Sequence, residues 1–228
     1  MTRVAKIDNA VKKRLARKER SRTLKSRKER FYFLIICEGE KTEPNYFEGL
    51  KKDLSKGTLV ISDMTIEGTG KNTESLVDYI LKYKKASNQA FDRIWAVFDR
   101  DSFTEEQFNN AIIRAEANEI NCAWSNEAFE LWFLLHFQFV NHGMPRQDYQ
   151  SYLEREIKRA SQKEYSYRKN NINTYSILKE YGNQQQAIIW AKELKTQFTD
   201  HKHADHNPCT LVYLLIEELF NPENVINP

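Results

Sequence analysis

Phe31-Tyr32-Phe33-Leu34-Ile35-Ile36-Cys37-Glu38-Gly39-Glu40 and Ile94-Trp95-Ala96-Val97-Phe98-Asp99-Arg100-Asp101 are runs of β-branched and aromatic residues that end abruptly in carboxylates. Such runs read as buried strands of a parallel sheet, apolar on both faces. In an open α/β sheet, function gathers just beyond the carboxyl ends of the strands. Glu38, Asp99 and Asp101 are therefore expected to converge on one small volume from separate strands. Carboxylates that close together repel one another unless a proton or a cation lies between them. Either motif alone reads equally well as ordinary loop acids. The pair, with a helical crossover and another strand between them, favours a hard oxygen-seeking cation, Mg²⁺ or Mn²⁺.

Outward from these motifs the chain alternates. A helix is expected around 43–54, with Pro44 suited to its first turn, and a second strand from Leu59 to Ile66. Glu67-Gly68-Thr69-Gly70-Lys71-Asn72-Thr73 then makes a turn into a helix at 73–86. This turn is not a P-loop, because Thr65 and Asn72 stand where that motif needs Gly and Ser or Thr. Lys71 and the free amides of a helix start still make a candidate phosphate contact. A third strand at 92–98, a helix at 104–117 and a fourth strand at 119–124 complete a β-α-β-α-β-α-β order, hence a parallel sheet with helices on both faces. After Ser125 the pattern turns helical. One very apolar helix is expected over 127–139, with helix starts near Arg146, Asn173, Asn183 and Pro208, and Gly182 closing the helix before Asn183.

Charge is distributed unevenly. The net charge is +3, yet residues 1–30 carry 13 Lys or Arg against 3 acids, while the rest holds 22 basic and 29 acidic residues. A basic arm on a mildly acidic body points to a polyanionic partner, with nucleic acid the usual one, unless the arm is only a solvated tail. No run of 18 apolar residues is present, so no membrane-spanning helix is expected. The N-terminal segment has no apolar stretch of the kind a secretory signal needs. Cys37, Cys122 and Cys209 lie far apart without metal-type spacing and read as reduced thiols, which fits a cytoplasmic location. Three units follow: a basic arm expected to be disordered (1–30), an α/β core (31–125) and a helical extension packed on it (126–228).

The strand-end Glu-Gly and Asp-x-Asp pair resembles the Toprim domain of topoisomerases, primases and related nucleases, over about residues 31–125. Cys37-Glu38-Gly39-Glu40-Lys41-Thr42-Glu43-Pro44-Asn45-Tyr46-Phe47 is similar to the opening motif of the RloB-like family, a Toprim-related group associated with phage defence. Ser125-Asn126-Glu127-Ala128-Phe129-Glu130-Leu131-Trp132-Phe133-Leu134-Leu135-His136-Phe137 resembles that family's second signature. Tyr167-Arg168-Lys169 and Asn207-Pro208-Cys209-Thr210 are weaker echoes. The resemblance implies a Toprim-like, Rossmann-type parallel sheet and Mg²⁺- or Mn²⁺-dependent phosphodiester cleavage of RNA (tRNA included) or DNA in bacterial defence. It also implies a separately encoded ATPase partner, with self-assembly left open. The chain departs from the topoisomerase-primase pattern at Thr42, where that pattern has Asp; Glu43 is the nearest acid.

On this reading Glu38, Asp99 and Asp101 hold the metal, with Glu43 as a further ligand. Glu130 holds a second metal or a water, or else pairs with Arg100. Lys169 steadies developing charge, and Lys41, Lys71, Arg100 and Tyr167 contact phosphate or stack on bases. His136 reads as a core histidine, and His201, His203 and His206 as a surface loop, since their spacing does not suit a helical metal site. Two other classes stay open: a non-catalytic module that binds nucleic acid or an ATPase, and a primase-like nucleotidyl transferase. The charge pattern yields a test. Deleting residues 1–28 is expected to weaken nucleic-acid binding and flatten its salt dependence, each lost phosphate contact lowering the slope of log K against log salt by about 0.9 on duplex DNA. Anisotropy titrations over a range of salt measure this, and an unchanged slope removes the arm from the interface.

Overall fold

The computed structural model describes residues 30–54, 61–70, 73–100 and 103–223. Residues 1–29 of the basic arm, together with the candidate site residues Lys71 and Asp101, lie outside the described residues. The described chain runs β1 (Arg30–Cys37), α1 (Thr42–Leu54), β2 (Ile61–Gly68), α2 (Thr73–Ala86), β3 (Arg93–Asp99), α3 (Glu105–Glu116) and β4 (Asn121–Asn126). It continues through α4 (Glu130–Leu134), α5 (Arg146–Ser161), α6 (Thr174–Tyr181), α7 (Gln184–Thr196), a 3₁₀ turn (His203–Asp205), β5 (Cys209–Thr210) and α8 (Val212–Phe220). The result is an α/β fold in which eight helices flank a five-stranded, mostly parallel sheet of order β2-β1-β3-β4-β5.

Alternation along the strands explains why β1 and β3 read as unbroken apolar runs. Side chains point to opposite faces with a period of two. Phe33, Ile35 and Cys37 of β1 and Trp95 and Val97 of β3 join one apolar cluster, with Tyr46, Phe47 and Leu50 of α1 and the helices from α4 onward. Leu34, Ile36, Ile94, Ala96 and Phe98 face the other way, onto Leu76, Val77 and Ile80 of α2 and Phe108 and Ile112 of α3. Both faces are covered, so neither strand shows a polar side. Asp99 continues the odd-numbered series and so belongs to the face carrying α1 and the later helices. The chain order also sets the position of the cleft. From β1 the chain winds outward to β2 and then returns to β3 on the other side of β1, so the sheet changes winding direction between these two strands. Such a switch point opens a crevice at the carboxyl ends.

The later helices are tied to the sheet by specific polar contacts. Glu218 of α8 accepts from Arg93 Nη2 at 2.8 Å and from Trp95 Nε1 at 2.9 Å. Asp53 of α1 accepts from Tyr175 Oη at 2.9 Å, and Gly49 lets these two helices touch, because a Cβ there would lie 2.6 Å from Tyr175 Cβ. Asn183 caps α7 by accepting from Gln186 N at 3.0 Å, directly after Gly182 ends α6. His136 Nδ1 lies 2.9 Å from the Trp132 carbonyl, and burial pushes the imidazole down to about 4.

Four expectations are corrected. The helix expected over 127–139 is a five-residue α4 followed by tight turns, with Leu131, Trp132, Phe133, Leu134 and Leu135 all fully buried. A segment apolar on every side has no polar stripe to fix its length or period. The sheet is mixed rather than wholly parallel: β5 pairs antiparallel with β4, Ser125 opposite Thr210, and their hydroxyls lie 2.9 Å apart. This two-residue strand takes the place of the helix start expected at Pro208, and α8 begins at Val212. The His201–His206 segment is not merely a surface loop. His206 is buried, stacked on Phe198 with ring centroids 4.6 Å apart, and its Nε2 lies 2.8 Å from Asp200 Oδ1.

One buried hydrogen bond joins the two parts of the larger core: Trp132 Nε1 donates to Tyr46 Oη at 2.9 Å, with neither side chain exposed. Tyr46→Phe leaves the indole N–H buried without its acceptor and is expected to lower stability by about 1–3 kcal/mol. Urea denaturation checks this; a variant as stable as the parent shows that the contact contributes nothing net.

Candidate functional site

Where β1 and β3 end side by side, the chain turns twice in the same place. Glu38 N donates to Val97 O at 2.8 Å, continuing the β1–β3 ladder by one bond, and Asp99 N donates to Glu38 Oε2 at 3.4 Å. The two strand-end acids are therefore neighbours because their strands are. Gly39 then lets α1 begin close by: a Cβ at this position would overlap the Glu43 carboxylate. The Glu-Gly pair thus has a steric cause, since any side chain at 39 would displace the buried acid four residues on. Gly70, at φ +60, packs in the same way against the Glu40 side chain, where a Cβ would lie 2.6 Å from Oε1.

These groups line an open cleft of about 610 Å³ whose wall includes Glu38, Lys41, Glu43, Asp99, Glu130, Arg146 and Lys169. Glu43, Asp99 and Glu130 are buried. Burial raises the Asp99 pKa well above the ordinary carboxylate range, and the Glu43 charge adds to it; Arg146 works against the rise, while Glu130 and Glu38 reinforce it. Glu43 is also raised, first by burial, with a hydrogen bond to its own backbone pulling down, Glu130 pushing up, and Arg146 and Lys169 pulling down. Beneath them the Cys37 thiol is pushed up by burial and then by the Glu43 and Asp99 charges, so it stays protonated. The cleft floor is thus a crowd of acids in a poorly solvated place.

Arg146, which the sequence marked only as a helix start, is the principal counter-charge. At the first turn of α5 its Nη2 is bonded to Asp99 Oδ2, and its Nε lies 3.8 Å from Glu130 Oε2. A cation at a helix N-terminus opposes the helix dipole; here the facing carboxylates account for it, and that unfavourable placement is the signal in the sequence that could have found it. Glu130 also accepts from Tyr167 Oη at 3.0 Å and from Gln150 Nε2 at 3.3 Å. The Tyr167 phenol is committed to Glu130, its pKa is raised by burial and then by the Glu130 charge, and the residue's backbone N–H donates to Glu154 Oε1 at 2.6 Å. The segment around it is drawn to the cleft by Thr42, whose Oγ1 donates to the Lys169 carbonyl at 3.1 Å. Thr42, which replaces an acid of the resembled pattern, therefore has a positioning contact.

The structure brings Glu38, Glu43, Asp99, Glu130, Lys41 and Lys169 to one cleft, with both lysines exposed at its rim. Arg100 is not among the lining residues. Its guanidinium donates to the Phe103 carbonyl, and among the described residues no ion pair joins it to Glu130. Among the described residues, no three His, Cys, Asp or Glu side chains gather closely enough to hold a metal ion. The donors that fit a hard cation are the strand-end carboxylates. Asp99 Oδ1 is buried and accepts no hydrogen bond among the described residues, and Glu38 adjoins it.

A protein-family model described as RloB-like protein matches residues 33–219. The chain belongs to the RloB-like family. The match starts within β1 and ends within α8, so it takes in the acidic cleft, Arg146 and the Tyr167–Lys169 segment of this RloB-like chain together. No curated protein and no solved structure matches it.

The raised Asp99 pKa fixes a sign. A carboxyl whose folded pKa exceeds its unfolded value, about 4, supports the fold at pH below that value and loses the contribution as pH rises through the folded one. Asp99→Asn keeps the shape and removes the charge. It is expected to raise the melting temperature near neutral pH and to flatten the loss of stability with rising pH. Melts of both proteins between about pH 4 and 8 check this; a variant less stable than its parent at the upper end shows that the Arg146 ion pair outweighs the crowding.

Proposed function

We propose that this RloB-like protein is a metal-dependent nuclease of Toprim type, cleaving RNA or DNA phosphodiesters with Mg²⁺ or Mn²⁺, and that it acts in anti-phage defence with a separately encoded ATPase partner. The observation that carries the reading is Asp99 Oδ1, a buried carboxylate oxygen that accepts no hydrogen bond among the described residues, on a residue whose backbone N–H bonds to Glu38 at the switch point of the sheet. Oxygen donors so placed suit a hard divalent ion. Glu38 and Asp99 would hold it, with Asp101 as the third strand-end acid. Such an ion supplies Lewis acidity toward a phosphoryl oxygen and a nucleophilic hydroxide near neutral pH. The chain's own residues do the rest. Lys41 and Lys169, exposed on adjoining segments of the rim, hold the phosphate backbone over the acids. Glu43 and Glu130 keep the floor negative enough to attract the ion, and the Tyr167 and Gln150 bonds hold Glu130 in place.

Arg146 also supports a second reading. Because it gives Asp99 a counter-charge by itself, the cleft is electrostatically tolerable as a non-catalytic module that binds nucleic acid or an ATPase. One experiment separates the two. The full chain is incubated with labelled tRNA, single-stranded RNA and plasmid DNA, in Mn²⁺ or Mg²⁺ and in EDTA. Cleavage of at least one substrate is expected with metal, none in EDTA, and a loss of at least 100-fold in Asp99→Ala. Retained binding without cleavage under any metal condition, or cleavage that survives Asp99→Ala, selects against the nuclease.

A further inference from the structure

Arg146 bears on how many ions the cleft takes. Its fork spans two carboxylates, Nη2 on Asp99 Oδ2 and Nε 3.8 Å from Glu130 Oε2. A guanidinium can bridge two acids in this way because its donors are fixed in a plane, and it keeps its charge at any accessible pH. The carboxylates it bridges are almost wholly enclosed, with side-chain exposures of 7% for Asp99 and 2% for Glu130, against 23% for Arg146. The other oxygen of Glu130 is engaged as well: Oε1 receives Tyr167 Oη at 3.0 Å and Gln150 Nε2 at 3.3 Å. Glu130, the residue the sequence offers as ligand to a second metal, therefore has Oε1 claimed by two donors and Oε2 paired with the guanidinium at 3.8 Å, while Asp99 Oδ1 accepts no hydrogen bond among the described residues.

We propose that Arg146 is the second cation of this cleft, and that the centre takes a single divalent ion, held on Glu38 and the unclaimed oxygen of Asp99. This rests on the metal reading above and sharpens it. The guanidinium stands between Asp99 and Glu130, where a second ion would draw its ligands, and supplies there a positive charge that neither dissociates nor depends on metal supply. Two cations, one mobile and one covalently anchored on α5, then face any phosphate that enters. The position of Arg146 at the start of α5 makes the fixed cation part of the helical extension and the mobile one part of the sheet.

Ion counting tests this independently of activity. EDTA-treated full-length protein is titrated with Mn²⁺, and the free ion is measured by electron paramagnetic resonance. One bound Mn²⁺ per chain that disappears in Asp99→Asn is expected for the parent and for Arg146→Lys, which keeps the charge. Arg146→Ala is expected to bind two, and the double variant Arg146→Ala, Glu130→Gln to return to one. Two ions in the parent, with one lost in Glu130→Gln, overturn the proposal while leaving the metal reading intact. A single ion in a folded Arg146→Ala overturns it too. No Asp99-dependent Mn²⁺ in the parent removes the metal reading itself, and the proposal with it. If Arg146→Ala fails to fold, the parent's stoichiometry alone decides.

Discussion

Crowded carboxylates at the end of a buried sheet are the constraint around which the rest of this molecule is arranged. Like charges about 4 Å apart in a medium of effective dielectric near 20 repel by about 4 kcal/mol, and Glu43, Asp99 and Glu130 are buried around one cleft with Glu38 beside them. An α/β core alone would present Glu38, Glu43 and Asp99 with little to offset them. The offset comes from later in the chain: Arg146 from α5 and Lys169 from the segment before α6. The helices after β4 are therefore as much a part of the site as the strands. Their apolar packing on β1 and α1 is what brings the cations within reach.

Strand parity decides which of the two faces receives this load. Asp99 follows Trp95 and Val97, whose side chains point to α1 and the helical extension, and not Phe98, which points to α2 and α3. Had the strand ended one residue earlier or later, the acid would have faced the α2–α3 layer, which contributes no cation to the cleft wall among the described residues. The same parity sets Cys37 directly below the acids, where a larger polar residue would add a further charge or an unpaired donor to a site that has no room for one. Gly39 completes the geometry by leaving the space that the Glu43 carboxylate fills.

Much of this was legible in the sequence, and the failures are instructive. β1 and β3 declare themselves because burial on both faces forces an unbroken apolar run, and their ends are marked by abrupt acids. The capping pair at Gly182 and Asn183 and the limits of α2 are equally local, and they emerge from turn and cap chemistry. The short α4 was not legible, because a segment apolar on all sides carries no period from which a length could be taken. β5 consists of two residues whose strand character exists only opposite Ser125 and Asn126, so no local pattern encodes it. Arg146 and the commitment of Tyr167 to Glu130 were missed for a related reason: each depends on a partner 47 or 37 positions away. Spacing rules see acids that end strands, and they do not see the arginine that a helix packing event will carry to them.

Glu130 shows how closely the electrostatics and the packing are joined. Its carboxylate is held by α5 through Arg146 and Gln150 and by the following segment through Tyr167. Two residues on, the same short helix carries Trp132, whose indole is bonded to Tyr46 of α1. α1 in turn carries Glu43 into the cleft and Asp53 onto α6. A closed circuit therefore runs from the acids through α4 to the core and back through α1 to the acids. In such a circuit the charge balance of the cleft and the seating of α1 against α4 are not separate quantities. A change in cleft charge alters the free energy of the contacts that hold Glu130 and Glu43 in place, and the helices bearing these residues are the ones that close the larger core.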